Sequence, residues 1–170
     1  MPIDEQLMRE VIMDHYEHPR HNSLLNDPSY ITVRLKNPSC GDDLTVQCQF
    51  SQAKDKSEQE AKISDIRQKG SGCSICLASA SMMAELLNNS SIKEAETALA
   101  NFTKMVQADD YEADVLGDAQ ALSGISHVIP RIKCANLAWQ ALKAAIDAHM
   151  SQEANAKGKA NTSIEMEINE

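Results

Sequence analysis

Asn37-Pro38-Ser39-Cys40-Gly41-Asp42-Asp43 is the stretch on which the reading of this chain turns. It lies between two alternating, β-branched runs, residues 30–36 and 43–50, each of which reads as a strand. Pro38 has no amide hydrogen to give a ladder, and Gly41 reaches backbone angles that other residues avoid. The stretch therefore predicts a tight loop between strands, with Cys40 and Asp42 both on it. A soft sulfur donor and a hard oxygen donor side by side on a loop suit a metal ion or an activated sulfur.

Working outward, residues 61–69 give a third, less apolar strand carrying Ile63 and Ile66. The polar, charged residues 51–60 before it read as a solvated hairpin tip. Three strands with short connections predict an antiparallel meander. On the N-terminal side, Leu7, Val11, Ile12 and Tyr16 recur at helical spacing over residues 4–18, with Asp4 as cap and Pro19 as terminator. Beyond Gly70-Ser71-Gly72-Cys73 the pattern turns helical, through Leu77, Met83 and Leu87. The run Ala78-Ser79-Ala80-Ser81 allows close backbone packing. Ser91 and Glu94 have capping-box spacing and open a helix over 92–107. An acidic connector leads to a short helix at 118–124 ended by Gly124, and Pro130 opens a long helix to about His149. The chain thus reads as one α+β domain, residues 1–150. Residues 151–170 are small and polar and read as a flexible tail.

Sixteen basic against 25 acidic residues give a net charge of −9. That argues against nucleic acid or an anionic membrane as the main partner, and favours partners with basic faces. The N-terminus lacks a basic region followed by an apolar one, and no apolar run approaches a membrane span. The compartment expected is the cytoplasm, where thiols stay reduced, so five cysteines read as metal, sulfur chemistry or core before disulfides.

The cysteines separate by setting. Cys48 lies on the apolar side of a strand, where a thiol acts as a small hydrophobe. Cys76 completes a C-x-x-C with Cys73, but it opens an apolar helical face and has no second such pair to join, so it too reads as core. Cys73 follows glycines at a helix start, where free amides and the helix dipole favour thiolate. Cys134 shares that setting, with Arg131 and Lys133 beside it. Cys40, Cys73, Cys134 and Asp42 together make a tetrahedral donor set that zinc accepts; iron–sulfur clusters use thiolates too. His15 and His18 sit three residues apart on one helix and read as packing or partner contacts rather than ligands, and His127 is not assigned to the site. The eight methionines read as core filler.

Three segments in this order carry a resemblance: Asn37–Asp42, Gly70–Met83 and Arg131–Ala135. They resemble the signatures of the U-type iron–sulfur cluster assembly proteins, the family of IscU and the N-terminal part of NifU. Residues 11–20 resemble the family's opening helix, and the likeness spans about 5–149. It implies an α+β fold of the SufE/NifU-like kind, a small three-stranded antiparallel sheet with helices packed on one side. Within the family the chain is most similar to the SufU branch. Lys133 stands where IscU-type members carry histidine, and residues 108–126 form an apparent insertion. Cys76 departs from the pattern, which has serine there.

The resemblance implies zinc held by Cys40, Asp42, Cys73 and Cys134. It implies a pyridoxal-phosphate cysteine desulfurase of SufS type as partner, with Cys40 accepting its persulfide sulfur. A desulfurase histidine would then take Cys40's place on the metal. Arg131 and Lys133 would dock the partner or steer the site, and Suf-type assembly proteins would act downstream. Two rival readings stand beside this one. The chain is a scaffold holding iron or a transient iron–sulfur cluster, or it is a zinc-stabilised interaction module without sulfur chemistry. Against the module, Cys40 is expected on an exposed loop, whereas structural zinc sites are closed.

Overall fold

The computed structural model describes residues 4–51, 61–154 and 162–167. Most of the hairpin tip expected at 51–60, and part of the tail expected from 151, lie outside the described residues. Among the described residues, four helices and four strands follow in the order α1 (Glu5–Glu17), β1 (Ile31–Asn37), β2 (Asp42–Ser51), β3 (Lys62–Ser71), α2 (Ser74–Leu87), α3 (Ile92–Val106), α4 (Ile129–Ala154) and β4 (Thr162–Glu167). Two 3₁₀ segments, Ala113–Val115 and Gly117–His127, lie between α3 and α4.

The alternating runs form the meander. β1 pairs antiparallel with β2 from Ile31↔Cys48 to Asn37↔Asp42. β2 pairs antiparallel with β3 from Asp43↔Ser71 to Ser51↔Lys62, with a register shift at Gln49/Phe50. Ile31, Val33, Leu35, Leu44, Val46, Cys48, Ile63 and Ile66 are buried on one face, where α4 and α2 cover them. The sheet has four strands rather than the three expected, in the order β3-β2-β1-β4. The fourth comes from the segment read as a tail. Thr162–Glu167 pairs parallel with β1, a role that six residues with only Ile164 β-branched and apolar do not announce.

The helices follow the caps in the sequence. The Asp4 side chain accepts from the Leu7 amide at 2.8 Å. The Ser91 hydroxyl accepts from the Glu94 amide at 3.0 Å while Glu94 accepts from the Ser91 amide at 3.2 Å. Two elements run further than expected. Gly124 sits within the 3₁₀ segment instead of ending it, because buried Leu122 and Ile125 on either side hold it against the core. α4 continues past His149 to Ala154; the His149 ring is buried and stacks on Phe50, centroids 4.2 Å apart and 9° between planes.

The small-residue run on α2 lets three elements share two serines. Ser79 Oγ donates to the Ala135 carbonyl at 2.7 Å and accepts from Trp139 Nε1 at 3.0 Å. Trp139 in turn stacks on Phe102 of α3, centroids 4.2 Å apart. Ser81 Oγ accepts from the Arg20 amide at 2.8 Å and lies 2.7 Å from His15 Nδ1. These contacts fix α2 against α1 and α4, and α4 against α3. Trp139→Ala removes the stack and leaves Ser79 without its donor. It is expected to cost about 3–5 kcal/mol in urea unfolding, with Trp139→Phe costing clearly less.

Candidate metal centre

Three chain segments converge at one end of the sheet: the β1–β2 hairpin, the start of α2 and the first turns of α4. In the hairpin, the Asn37 carbonyl accepts from the amides of Cys40 at 3.2 Å and Gly41 at 2.9 Å. Gly41 takes φ +74°, which a side chain would disfavour. The turn leaves Cys40 exposed at its tip. Asp42 is not on the loop, as the sequence reading had it. It is the first residue of β2, paired with Asn37, and only 1% exposed. The ladder closes one residue earlier than the Pro/Gly pattern suggests, turning the Asp42 side chain inward.

Inside, Asp42 Oδ1 accepts from the Cys73 amide at 3.0 Å. This amide belongs to the residue that caps α2, so the carboxylate meets the positive end of the helix dipole. Gly72 makes the approach feasible: a Cβ there would lie 2.5 Å from Asp42 Oδ1. Asp42 Oδ2 is buried without a hydrogen-bond partner among the described residues. An unsatisfied buried carboxylate oxygen is costly, and a cation is one way to satisfy it.

The thiols lie around this carboxylate. Cys40 Sγ, Cys134 Sγ and a carboxylate oxygen of Asp42 are all within 4.8 Å of one another. Cys73 is adjacent but outside that set. Its sulfur turns back to cap its own helix, accepting from the Cys76 amide at 3.5 Å. Cys134 is buried, and its thiol donates to the Pro130 carbonyl at 3.8 Å. Burial pushes the Cys134 thiol up, as do Asp42 and the thiols of Cys40 and Cys73. So much potential negative charge in one place favours protons until a cation arrives. Arg131, exposed at the start of α4, faces the same group: Cys73 first and then Cys134 hold its guanidinium above the usual arginine range. Lys133 beside it is half-buried.

The other cysteines are in the core, as the sequence reading had them. Burial raises the Cys76 thiol, and pushes Cys48 up to about 12, so neither favours thiolate. His15 is fully buried, 2.8 Å through Nε2 from Asp118 Oδ2. Asp118 is 103 residues further along the chain, and nothing in the local pattern around His15 announces it. With Glu85 these two form a second group of donors within 4.8 Å, but Glu85 already pairs with Arg20 Nε at 2.9 Å. His127 is exposed and belongs to neither group. The Asp42–Cys73 bond and the fit of Gly72 were not read from sequence; the Gly-Ser-Gly before a helix start was their one visible trace.

An α+β domain that gathers thiols from a hairpin tip and two helix starts around a buried carboxylate is of a thiolate–carboxylate, metal-site class. The chain belongs to the NifU-like N-terminal domain family, which matches residues 7–156. It is 39% identical over 140 residues to the zinc-dependent sulfurtransferase SufU of Bacillus subtilis (strain 168), covering 82% of this chain and 88% of that protein. It is 38% identical over 141 residues to the iron–sulfur cluster assembly scaffold protein IscU of Streptococcus pyogenes serotype M1, covering 82% of each. Among solved structures, it resembles a putative iron–sulfur cluster assembly scaffold protein for the SUF system from Fervidobacterium islandicum AW-1. The TM-score is 0.66 at 28% identity, over 80% of this chain and 93% of that one.

Zinc fits this donor set, since sulfur and oxygen ligands are both accepted in its tetrahedral sites. Gly72→Ala drives a methyl group into Asp42 Oδ1 and should weaken zinc binding by roughly 10–100-fold, measured by competition with a chromophoric chelator. Zinc at about 100 times its dissociation constant should add about 2.7 kcal/mol to stability. A chelator should remove that increment from the wild type and change Asp42→Ala far less, as read by thermal unfolding.

Proposed function

We propose that this chain binds zinc through Cys40, Asp42, Cys73 and Cys134. It takes sulfur at Cys40 from the persulfide of a pyridoxal-phosphate cysteine desulfurase, and passes it on for iron–sulfur cluster assembly in the cytoplasm. The observation that carries the reading is the place of Cys40. It is the one exposed thiol of five, yet its sulfur lies within 4.8 Å of buried Asp42 and Cys134. A purely structural site would hold all its donors inside.

Bound zinc supplies the positive charge that keeps the thiols deprotonated at neutral pH. The remaining work falls to the chain. Cys73 needs only to turn its sulfur from the Cys76 amide toward Asp42 and Cys134. The hairpin presents Cys40 to a partner without moving the sheet, because Asp42 stays fixed by the Cys73 amide. The Cys40 thiolate attacks the terminal sulfur of the donor persulfide. A new sulfur–sulfur bond forms at Cys40, the old one breaks, and the donor cysteine leaves as thiolate.

Docking has a surface to use. Val128 and Ile129, 46% and 76% exposed, are separated from Arg131 only by Pro130. Exposed apolar side chains next to a cation that faces the thiols suit a partner's contact surface. The scaffold reading is favoured by the 38% identity to the Streptococcus IscU, and it requires the same thiols to hold a cluster.

Desulfurase turnover measured with and without the chain tests the proposal. Wild type should stimulate it and Cys40→Ser should not. Asp42→Ala should lose most of the effect through lost zinc. Ile129→Asp should raise the concentration needed for half-maximal stimulation while leaving the maximum unchanged. Stimulation that survives Cys40→Ser overturns the sulfur-acceptor reading, and a stable cluster formed on the anaerobic protein favours the scaffold.

A further inference from the structure

The family match ends at residue 156, yet the chain returns to the sheet beyond it. β4 lies parallel to β1 over the register Ile31↔Thr162 to Lys36↔Glu167 and covers the outer edge that the meander would otherwise leave open. An open edge is a row of unpaired amides and carbonyls that readily takes another strand.

The contacts that hold β4 are few. Ile164, opposite Val33, packs partly buried against the core, whereas Met166 is 47% exposed. Glu165, opposite Arg34, approaches it only to 3.9 Å. Arg34 makes its shorter bonds, at 2.9 and 2.6 Å, to Asp43. Arg34, Lys36, Glu165 and Met166 line a cleft of about 240 Å³ rather than a closed contact. An exposed ion pair contributes about 0–1 kcal/mol, and parallel pairing is slightly weaker per residue than antiparallel. Backbone bonds and one apolar side chain therefore do most of the holding. β4 belongs to the same chain as β1, so its re-docking is intramolecular.

Direction gives this edge its interest. β1 runs toward Asn37 and the Cys40 hairpin, so a parallel segment docked on it ends at the same end of the sheet as Cys40. Arg34 and Lys36, with one carboxylate, Asp43, between them, still leave the edge with an excess of positive charge on a chain of net charge −9. It therefore selects an acidic segment that the rest of the surface would repel.

We propose that the outer edge of β1 is a strand-docking surface for an extended segment that alternates apolar and acidic residues. Its occupant is this chain's own Thr162–Glu167, docked reversibly while the rest of the domain stays folded. The inference concerns the edge alone and does not depend on zinc or sulfur transfer.

Hydrogen–deuterium exchange of the full-length protein tests it. Ile164→Asp should speed exchange in β1 by about tenfold or more. Exchange in the β2–β3 ladder should be unchanged, which checks that the variant is folded. Glu165→Lys should act in the same direction more weakly. A synthetic peptide of the Thr162–Glu167 sequence, added at about millimolar concentration, should restore β1 protection in the Ile164→Asp protein. The same peptide with lysine in place of both glutamates should not. Unchanged β1 exchange in both variants overturns the proposal. So does failure of the acidic peptide to restore protection, or equal restoration by the lysine peptide.

Discussion

One hydrogen bond, from the Cys73 amide to Asp42 Oδ1 at 3.0 Å, joins the sheet to the helices at the site. It fixes the first residue of β2 to the first turn of α2, so the hairpin carrying Cys40 and the helix carrying Cys73 share one origin. A carboxylate 1% exposed is tolerable only if its charge is met. Here one oxygen is met by the amide at a helix N-terminus, and the other is left to the thiols and whatever they bind. Gly72 is part of the same constraint, because any side chain there would occupy the space of the carboxylate.

That junction is useful only if the helices hold still, and α2 shows how they do. Ser79 links α2 to the Ala135 carbonyl and the Trp139 indole of α4, at the residue following Cys134. Ser81 bonds to the segment after α1 and contacts His15, which reaches on to Asp118 in the segment before α4. The sulfurs of Cys73 and Cys134 are thus placed by elements whose packing is fixed away from the site, while Cys40 alone projects from a turn. One buried thiol, one half-buried and one exposed differ in access rather than in chemistry.

Much of this was legible in the chain. β1 and β2 follow from period-two alternation around Pro38 and Gly41, and Ser91 with Glu94 announces the start of α3. The cysteines at the hairpin and at the two helix starts were legible as donors because their local settings differ from those of Cys48 and Cys76. What stayed hidden is tertiary. Asp42 turns inward because of its pairing with Asn37, which no propensity reveals. His15 finds Asp118 across 103 residues. β4 was read as tail because its six residues bury one half-covered isoleucine; the edge of β1, not the segment's own pattern, makes it a strand. The 3₁₀ segment passes Gly124 because burial of Leu122 and Ile125 outweighs the local break.

In the proposed transfer, exposure and proximity single out Cys40 among the thiols as the sulfur acceptor. Mass-spectrometric mapping after a single turnover with a cysteine desulfurase and cysteine, with thiols trapped by alkylation, reads this directly. One added sulfur is expected on the peptide carrying Cys40, with Cys73 and Cys134 unmodified. Added sulfur on Cys73 or Cys134, or on none of the three while the desulfurase is stimulated, would contradict it.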